Sequence, residues 1–200
     1  MSKKLNTRIE KDSMGSFEVP SDAYYGANTM RAVLNFPISS LKFQREFIRS
    51  LARIKKAAAL TNLDLGLIDK VIAEQIADAA EKVINGNCDD QFVVDIFQTG
   101  SGTSTNMNIN EVISNLAIEK MNGVIGSKEP VHPYDHVNMG QSSNDVIPTA
   151  IHISALDIIT SQLLPAIEQL ENALEQKSRE FKNIVKTGRT HLQDATPITL

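Results

Sequence analysis

The sequence predicts an all-α protein, in which an N-terminal, mostly helical domain is followed by the start of a long-helix bundle. Apolar residues recur at steps of three and four along most of the chain, which is the spacing of amphipathic helices. Two of these stretches end at an Asn-Gly pair, a common helix stop. With 42% hydrophobic residues in 200, the chain can bury a substantial core. We assign residues 1–138 to the N-terminal domain and residues 139–200 to the bundle.

The N-terminal domain divides into extended and helical parts. Turn signals crowd the first forty residues, which predicts extended segments and loops with at most a short helix. The apolar spacing then predicts two helices, over residues 41–62 and 67–84, and a third helix is predicted over residues 105–121, ending at Asn122-Gly123. The apolar run at residues 92–97 fits either a strand or a helix end, and both interpretations stay open.

A long helix is predicted after the proline-containing loop at residues 124–137, which we take as the domain boundary. Pro148 suits its first turn, the helix continues to about Phe181, and Pro165 should kink it. Its wide apolar stripe needs other long helices as partners, and this sequence offers none of comparable length. We expect those partners beyond residue 200 or in other subunits. A further helix is expected to begin within residues 194–200, so we expect the chain to be a fragment.

Composition excludes several classes of function. A net charge of −4 leaves no basic excess for a nucleic-acid backbone. Cys88 is the only cysteine, so the sequence has no intrachain disulfide and no cysteine-based zinc site. The N-terminus at residues 1–8 lacks the apolar stretch of a signal peptide, and no uncharged apolar run reaches the roughly 18 residues that span a bilayer. We therefore expect a cytoplasmic protein without nucleic-acid or membrane partners.

Three polar motifs stand out from the predicted helices. They are residues 99–106 (TGSGTSTN), 141–145 (QSSND) and 187–194 (TGRTHLQD). Each is expected next to a helix start, where free backbone N–H groups and the helix dipole favour an anion. Hydroxyl, carboxamide and imidazole groups in such places indicate chemistry on a small dicarboxylate.

The same residues allow other interpretations. The turn from Gly100 to Gly102 lacks the third glycine of a dinucleotide-binding fingerprint, and it lacks the spacing of a hydrolase nucleophile elbow. The interpretation of this turn as an ordinary helix cap stays open. His132 and His136 lie four residues apart, but the intervening Pro133 disfavours a helical metal-binding pair. The adjacent Lys55 and Lys56 are typical of a solvated helix face.

Taken together and in this order, the motifs resemble the fumarase/aspartase superfamily, and within it the class II fumarases. Residues 8–15, 19–27 and 35–39 extend the resemblance over nearly the whole chain. The Ser-Ser-Asn run of the second motif and the Thr-His pair of the third resemble fumarases. The Gly-Thr-Ser-Thr-Asn run of the first motif leans towards aspartases.

The resemblance implies reversible anti addition of water to fumarate, giving L-malate, a reaction of the tricarboxylic acid cycle, without metal or organic cofactor. His191 would hold the reacting water or donate the proton to the departing hydroxyl. The other residues carried over by the resemblance would bind the substrate: Ser101, Thr103, Asn106, Ser142, Ser143, Asn144 and Thr190. His132 and Asp135 would form an accessory anion site, although Tyr134 replaces the family's usual asparagine there.

The resemblance also implies a homotetramer whose active sites are shared between subunits. The family's catalytic serine loop, with its lysine and asparagine, has no counterpart in these 200 residues. The resemblance therefore implies that the sequence carries part of an active site. Two alternatives stay open: an aspartate ammonia-lyase of the same superfamily, and a non-catalytic helical assembly module.

Overall fold

A computed structural model describes residues 6–199, so the predicted features of residues 1–5 and of Leu200 lie outside it. The backbone is mainly helical, as the sequence predicts. By contacts, the chain divides into two compact units, Met1–Ser154 and Ala155–Leu200. This division falls within the long helix, and the domain boundary after residue 138 stays a prediction. The strands and helices are β1 (Thr7–Asp12), β2 (Gly15–Pro20), α1 (Ala27–Asn35), α2 (Arg45–Asp64), α3 (Lys70–Ile84), α4 (Thr103–Lys120), α5 (Ser143–Ile158), α6 (Leu164–Phe181), β3 (Val185–Thr190) and β4 (Gln193–Thr199).

The first unit begins with an antiparallel hairpin of β1 and β2, in which Asp12 pairs with Gly15 across a tight turn. Arg31 of α1 donates to both carboxylate oxygens of Asp12, which ties the helix to the hairpin. The arginine holds the pKa of Asp12 below its usual value. The predicted extended segments and short helix are therefore confirmed.

Helices α2, α3 and α4 form the core of this unit. The three predicted helices are confirmed, although α2 and α3 start three to four residues later than expected and α4 starts two earlier. Asp69 sets the start of α3, because its carboxylate accepts a hydrogen bond from the Val71 amide at 2.8 Å. Helix α4 is buried on all sides from Asn108 to Ile118, so it has no solvent-exposed face there. The apolar run at residues 92–97 forms neither a strand nor a helix.

Gly102 is the N-cap residue of α4, and its backbone conformation leads to a testable prediction. Its φ is 69° and a Cβ there would lie 3.0 Å from the side chain of Ile147. We expect Gly102→Ala to lower the free energy of unfolding by about 1–2 kcal/mol, because alanine is strained at positive φ and must displace its neighbour. Gly100→Ala is the matched control, since a Cβ at Gly100 meets nothing within 4 Å. Urea unfolding of both variants measures the difference, and equal stability would contradict the assignment.

The long helix runs from Ser143 to Phe181. The prediction that Pro148 lies in its first turn is wrong: five helical residues precede this proline. A π-helical turn, Ile159–Leu163, interrupts the helix just before Pro165. A proline has no N–H to donate to the preceding turn, so the irregularity falls where Pro165 was expected to disturb the helix.

The apolar residues of the second unit's helix are exposed. Leu156 is 63%, Leu170 60% and Leu174 62% exposed. By length and composition alone, Ser143–Phe181 is the one helix within residues 6–199 that could cross a membrane, with a mean hydropathy of 1.4 over its best window. The helix contains charged residues, so it differs from the uncharged apolar run that the sequence lacks. Helices that pack in a bundle have the same composition, so the exposed stripe also fits the predicted bundle.

The end of the chain corrects two expectations. Residues 187–194 do not precede a helix, and no helix begins within residues 194–199, because β3 and β4 form an antiparallel hairpin there. A register shift between Thr187 and Arg189 marks a bulge around Gly188. A Cβ at Gly188 would lie 2.9 Å from the carbonyl oxygen of Thr196, so only glycine fits this crossing.

Candidate active site

The first polar motif lies at the N-terminus of α4. Ser101 and Thr103 are exposed, and their hydroxyl oxygens lie 2.9 Å apart. The amide of Thr105 donates to the side-chain oxygen of Gln98 at 2.9 Å, which fixes the loop against the helix. The two hydroxyls are therefore presented side by side at a helix start, where an anion is favoured.

The second motif lies at the N-terminus of α5. Ser142 precedes the helix and its Oγ accepts a hydrogen bond from the Asn144 amide at 3.2 Å. The Ser142 carbonyl accepts the amides of Asp145 and Val146, which starts the helix. Ser142 and Asn144 are exposed and Ser143 is half-buried. This motif therefore offers polar side chains at a second helix start.

Asn106 joins the two motifs. It is fully buried in the first turns of α4, and its Nδ2 donates to Ser143 Oγ at 3.0 Å and to Asn138 Oδ1 at 3.1 Å. Its own Oδ1 is buried without a partner in the described part of the chain. The N-terminal turns of α4 and α5 therefore meet, and the exposed hydroxyls of Ser101 and Ser142 belong to neighbouring helix starts.

A buried cation lies behind these loops. Lys55 of α2 is 0% exposed, and its Nζ donates to Asn138 Oδ1 at 3.0 Å and to Gln141 Oε1 at 2.9 Å. Burial lowers the pKa of Lys55 to about 7. The expectation of a solvated face is wrong for Lys55 and right for Lys56, which is partly exposed and pairs with Glu81 at 2.7 Å. The helical spacing could have predicted this burial, because Lys55 follows buried Leu51 by four residues and therefore lies on the same face of α2.

This lowered pKa predicts a pH-dependent stability. Between pH 7 and the usual lysine pKa near 10.5, the unfolded chain binds the Lys55 proton and the folded chain releases it. The free energy of unfolding must therefore rise with pH across this window, by on the order of 3 kcal/mol. Below pH 7 both states bind the proton, and the cost of burying the charge is constant.

Urea unfolding at pH 7 and pH 9.5 measures the Lys55 contribution as a difference between variants. Wild type and Lys56→Met should gain more stability on this change than Lys55→Met, because only Lys55→Met removes the buried group. An equal pH response in all three proteins would contradict the assignment of the lowered pKa.

The third motif lies in the second unit, on the hairpin of β3 and β4. Thr190 ends β3, and His191 and Leu192 form the two-residue turn with φ of 53° and 61°. Leu192 is 96% exposed. Positive φ at both turn positions is typical of a type I′ turn, which normally takes Asn-Gly, so His191 and Leu192 hold a strained backbone. Such strain at bulky residues is common at functional sites.

The proposed accessory residues lie on the π-helical turn Pro133–Val137. His132 Nδ1 accepts the amides of Tyr134 and Asp135 at 3.3 and 3.2 Å, and also lies 3.2 Å from an Asp135 carboxylate oxygen. An acceptor nitrogen carries no proton, and burial lowers the pKa of His132, so we assign a neutral ring with its proton on Nε2. His136 turns back to accept the His132 amide at 2.9 Å. No cluster of three metal-ligating side chains occurs within residues 6–199.

Comparison with known proteins places these features in a family. A family model described as Lyase matches residues 15–200. The class II fumarate hydratase of Halobacterium salinarum is 57% identical over 193 residues, which are 96% of this chain and 41% of that protein. The corresponding protein of Thermosynechococcus vestitus is 52% identical, over 98% of this chain and 42% of its own length.

Solved structures agree with the sequence relatives. The fumarate lyase:delta crystallin of Brucella melitensis superposes with a TM-score of 0.92 at 46% identity, over 98% of this chain and 46% of that one. The class II fumarase of Schistosoma mansoni gives a TM-score of 0.91 at 44% identity, over 98% of this chain and 41% of that one. The chain thus spans about two fifths of the length of the curated relatives it matches. It belongs to the lyase family that includes the class II fumarate hydratases.

Proposed function

We propose that the full-length protein that carries this chain is a fumarate hydratase, which adds water reversibly to fumarate to give L-malate. The observation that carries the proposal is the Asn106 bridge to Ser143, because it brings two helix N-termini and their exposed polar side chains together. Two adjacent sites for negative charge fit a dicarboxylate. The names of the relatives support fumarate as that dicarboxylate.

In this proposal each loop takes one part of the substrate. The hydroxyls of Ser101 and Thr103 donate to one carboxylate at the start of α4. Ser142, Ser143 and Asn144 hold the substrate at the start of α5. Asn106 contributes by orienting Ser143, since its side chain is buried.

The chemistry needs donors that are already in place. Removal of the C3 proton of malate turns a carboxylate into an aci-carboxylate with additional negative charge. Hydroxyl and backbone N–H groups fixed at two helix starts stabilise that charge better than free water, because they need no reorganisation. His191 holds the reacting water or donates its proton to the departing hydroxyl, and Thr190 contacts the substrate. The strained turn that carries His191 supports a functional role.

The assembly proposal rests on the second unit. Exposed leucines and isoleucines along α6 need an apolar partner, and a homotetramer with a shared helix bundle and shared active sites would cover them. The proposal includes a cytoplasmic enzyme of the tricarboxylic acid cycle that uses no metal or organic cofactor. His132 and Asp135 remain proposed as an accessory anion site on the Pro133–Val137 turn, with the neutral ring offering an Nε2 proton.

An ultraviolet assay tests the reaction. The full-length gene product should consume fumarate, seen as loss of its absorbance, and should release no ammonia from aspartate. Ammonia release without malate dehydration would transfer the assignment to aspartate ammonia-lyase, which the Gly-Thr-Ser-Thr-Asn run favours. Inactivity on both substrates would favour the helical assembly module.

A further inference from the structure

The feature with no assigned role is the ammonium group of Lys55. Lys55 heads the fully buried side chains of the described chain by volume. Both acceptors of its Nζ are neutral amide oxygens, from Asn138 and Gln141. Within residues 6–199 no carboxylate contributes to its pKa. A buried cation without a counter-charge is costly, so its retention calls for a function.

The two amides that hold Lys55 also shape the loop before α5. Asn138 Nδ2 donates to the Gln141 carbonyl at 3.0 Å. Gln141 Nε2 donates to the carbonyls of Val137 and Met139 at 3.0 and 3.3 Å. The side chains of Asn138 and Gln141 therefore brace the backbone that leads directly into Ser142.

The same cluster reaches the first loop through Asn138. Its Oδ1 accepts from three donors: Lys55, Asn106 and Asn110, the last at 3.2 Å. The Oδ1 atoms of Asn106 and Asn110 are buried without partners in the described part of the chain. Three donors therefore converge on Asn138 Oδ1, and one of them is the ammonium group of Lys55. Asn138 thus links the charge of Lys55 to Asn106, the residue that holds Ser143.

We propose that Lys55 is a positioning residue of the dicarboxylate site: its ammonium group fixes Asn138 and Gln141, and a bound dianion supplies the negative charge that this ammonium lacks. The inference rests on the proposed function, because it requires a dianionic ligand at residues 142–144. Lys55 reaches that ligand through Asn138, Asn106 and Ser143, and makes no contact with it. Binding of a dianion stabilises the ammonium form, so binding above pH 7 draws a proton onto Lys55.

Three titratable groups of the surrounding elements are engaged elsewhere. On α4, Glu111 accepts hydrogen bonds from the N-terminus of α1. On α3, Glu81 pairs with Lys56. On the Pro133–Val137 turn, His136 Nδ1 accepts the His132 amide. Another two charged groups, Arg53 of α2 and Asp145 of α5, line a cavity together with Gln141.

Calorimetry with succinate, an unreactive dicarboxylate, tests the inference on the full-length protein. Titrations at pH 8 in two buffers of different ionisation enthalpy give the protons taken up on binding. Wild type should take up about half a proton or more per succinate. Lys55→Met should take up none and bind about tenfold more weakly, because the ammonium is lost. Lys56→Met, which removes the same charge from the next residue of α2, should match wild type.

A second variant keeps the test decisive if Lys55→Met does not fold. Asn138→Asp keeps the oxygen that accepts from Lys55 and gives Lys55 a permanent counter-charge, although it loses the Nδ2 donor to the Gln141 carbonyl. The ammonium then persists at pH 8 without ligand, so proton uptake should disappear and succinate should bind about tenfold more weakly. Thermal unfolding without ligand should show a folded protein, which separates this effect from loss of structure.

The outcomes separate this inference from the proposed function. Fumarate turnover by wild type, with wild-type proton uptake in whichever of Lys55→Met and Asn138→Asp folds, would overturn the role of Lys55 and leave the hydratase standing. Succinate binding by wild type, with proton uptake lost in whichever of Lys55→Met and Asn138→Asp folds, but no fumarate turnover, would support Lys55 and overturn the hydratase. A wild-type protein that neither binds succinate nor converts fumarate would overturn both.

Discussion

Glu111→Ala should lower the free energy of unfolding of the first unit by about 3–5 kcal/mol, because it removes a buried carboxylate and leaves its donors unpaired. Glu111 is 4% exposed in the middle of α4. Its Oε2 accepts from the Gly26 amide at 2.8 Å and from the Thr29 amide and hydroxyl at 3.1 and 2.6 Å. Its Oε1 accepts from the Asn28 amide and side chain, both at 3.0 Å.

These bonds give α1 its start. Gly26, the N-cap of α1, has no side chain to cap the helix. The carboxylate of Glu111, from α4, accepts the free N–H groups of the first turn instead. Glu10 adds a second carboxylate that accepts the Ala27 amide at 3.1 Å. Burial raises the pKa of Glu10, and the neighbouring Glu111 acts in the same direction. Arg8, whose Nε donates to Glu10 at 2.7 Å, and the surrounding N–H groups offset the repulsion between the two acids.

Urea unfolding followed by circular dichroism measures the loss. Glu119→Ala is the matched control, since Glu119 lies on the same helix but its bond with the Tyr24 hydroxyl, at 2.8 Å, is exposed. This control should lose no more than about 1 kcal/mol. A Glu111→Ala variant as stable as the Glu119→Ala variant would contradict the capping role.

His191→Asn should reduce the rate of fumarate hydration by about 10²- to 10⁴-fold, because the variant loses the group that holds the water or donates the proton. The fold should tolerate this change. His191 is exposed, and asparagine adopts its φ of 53° readily. Loss of rate with unchanged thermal unfolding would separate a catalytic role from a structural one.

The control for His191→Asn is the same substitution at His152, an exposed residue of α5. His152→Asn should keep the wild-type rate. If His191→Asn hydrates fumarate within about threefold of wild type, the assignment of His191 is wrong, and the proton donor must be sought elsewhere.

The sequence predicted α2 and α3 well because each buries one face against the core, and a one-sided helix leaves a clear apolar period. Helix α4 was predicted from its stop signal at Asn122-Gly123, because most of its residues are buried and it has no one-sided apolar stripe. The hairpin of β3 and β4 was missed because its turn is His191-Leu192. Nothing in that pair resembles the Asn-Gly that usually signals such a turn.

The candidate site was only partly predictable. The hydroxyl-rich motifs at α4 and α5 could be found, because helix starts have local sequence signals. Lys55 was misassigned since charge alone indicates a solvated face, and its burial depends on Asn138 and Gln141, more than eighty residues away. The third motif was correctly seen as polar, but its strained turn depends on strand pairing that a helical pattern does not reveal.

The most direct test of the proposed reaction is proton NMR of fumarate incubated with the full-length gene product in D₂O, with and without ammonium. The account predicts a single diastereomer of L-malate carrying one deuterium at C3, since anti addition delivers the solvent deuteron to one face, and the same product when ammonium is present. Unchanged fumarate, or aspartate that forms only when ammonium is added, would contradict it.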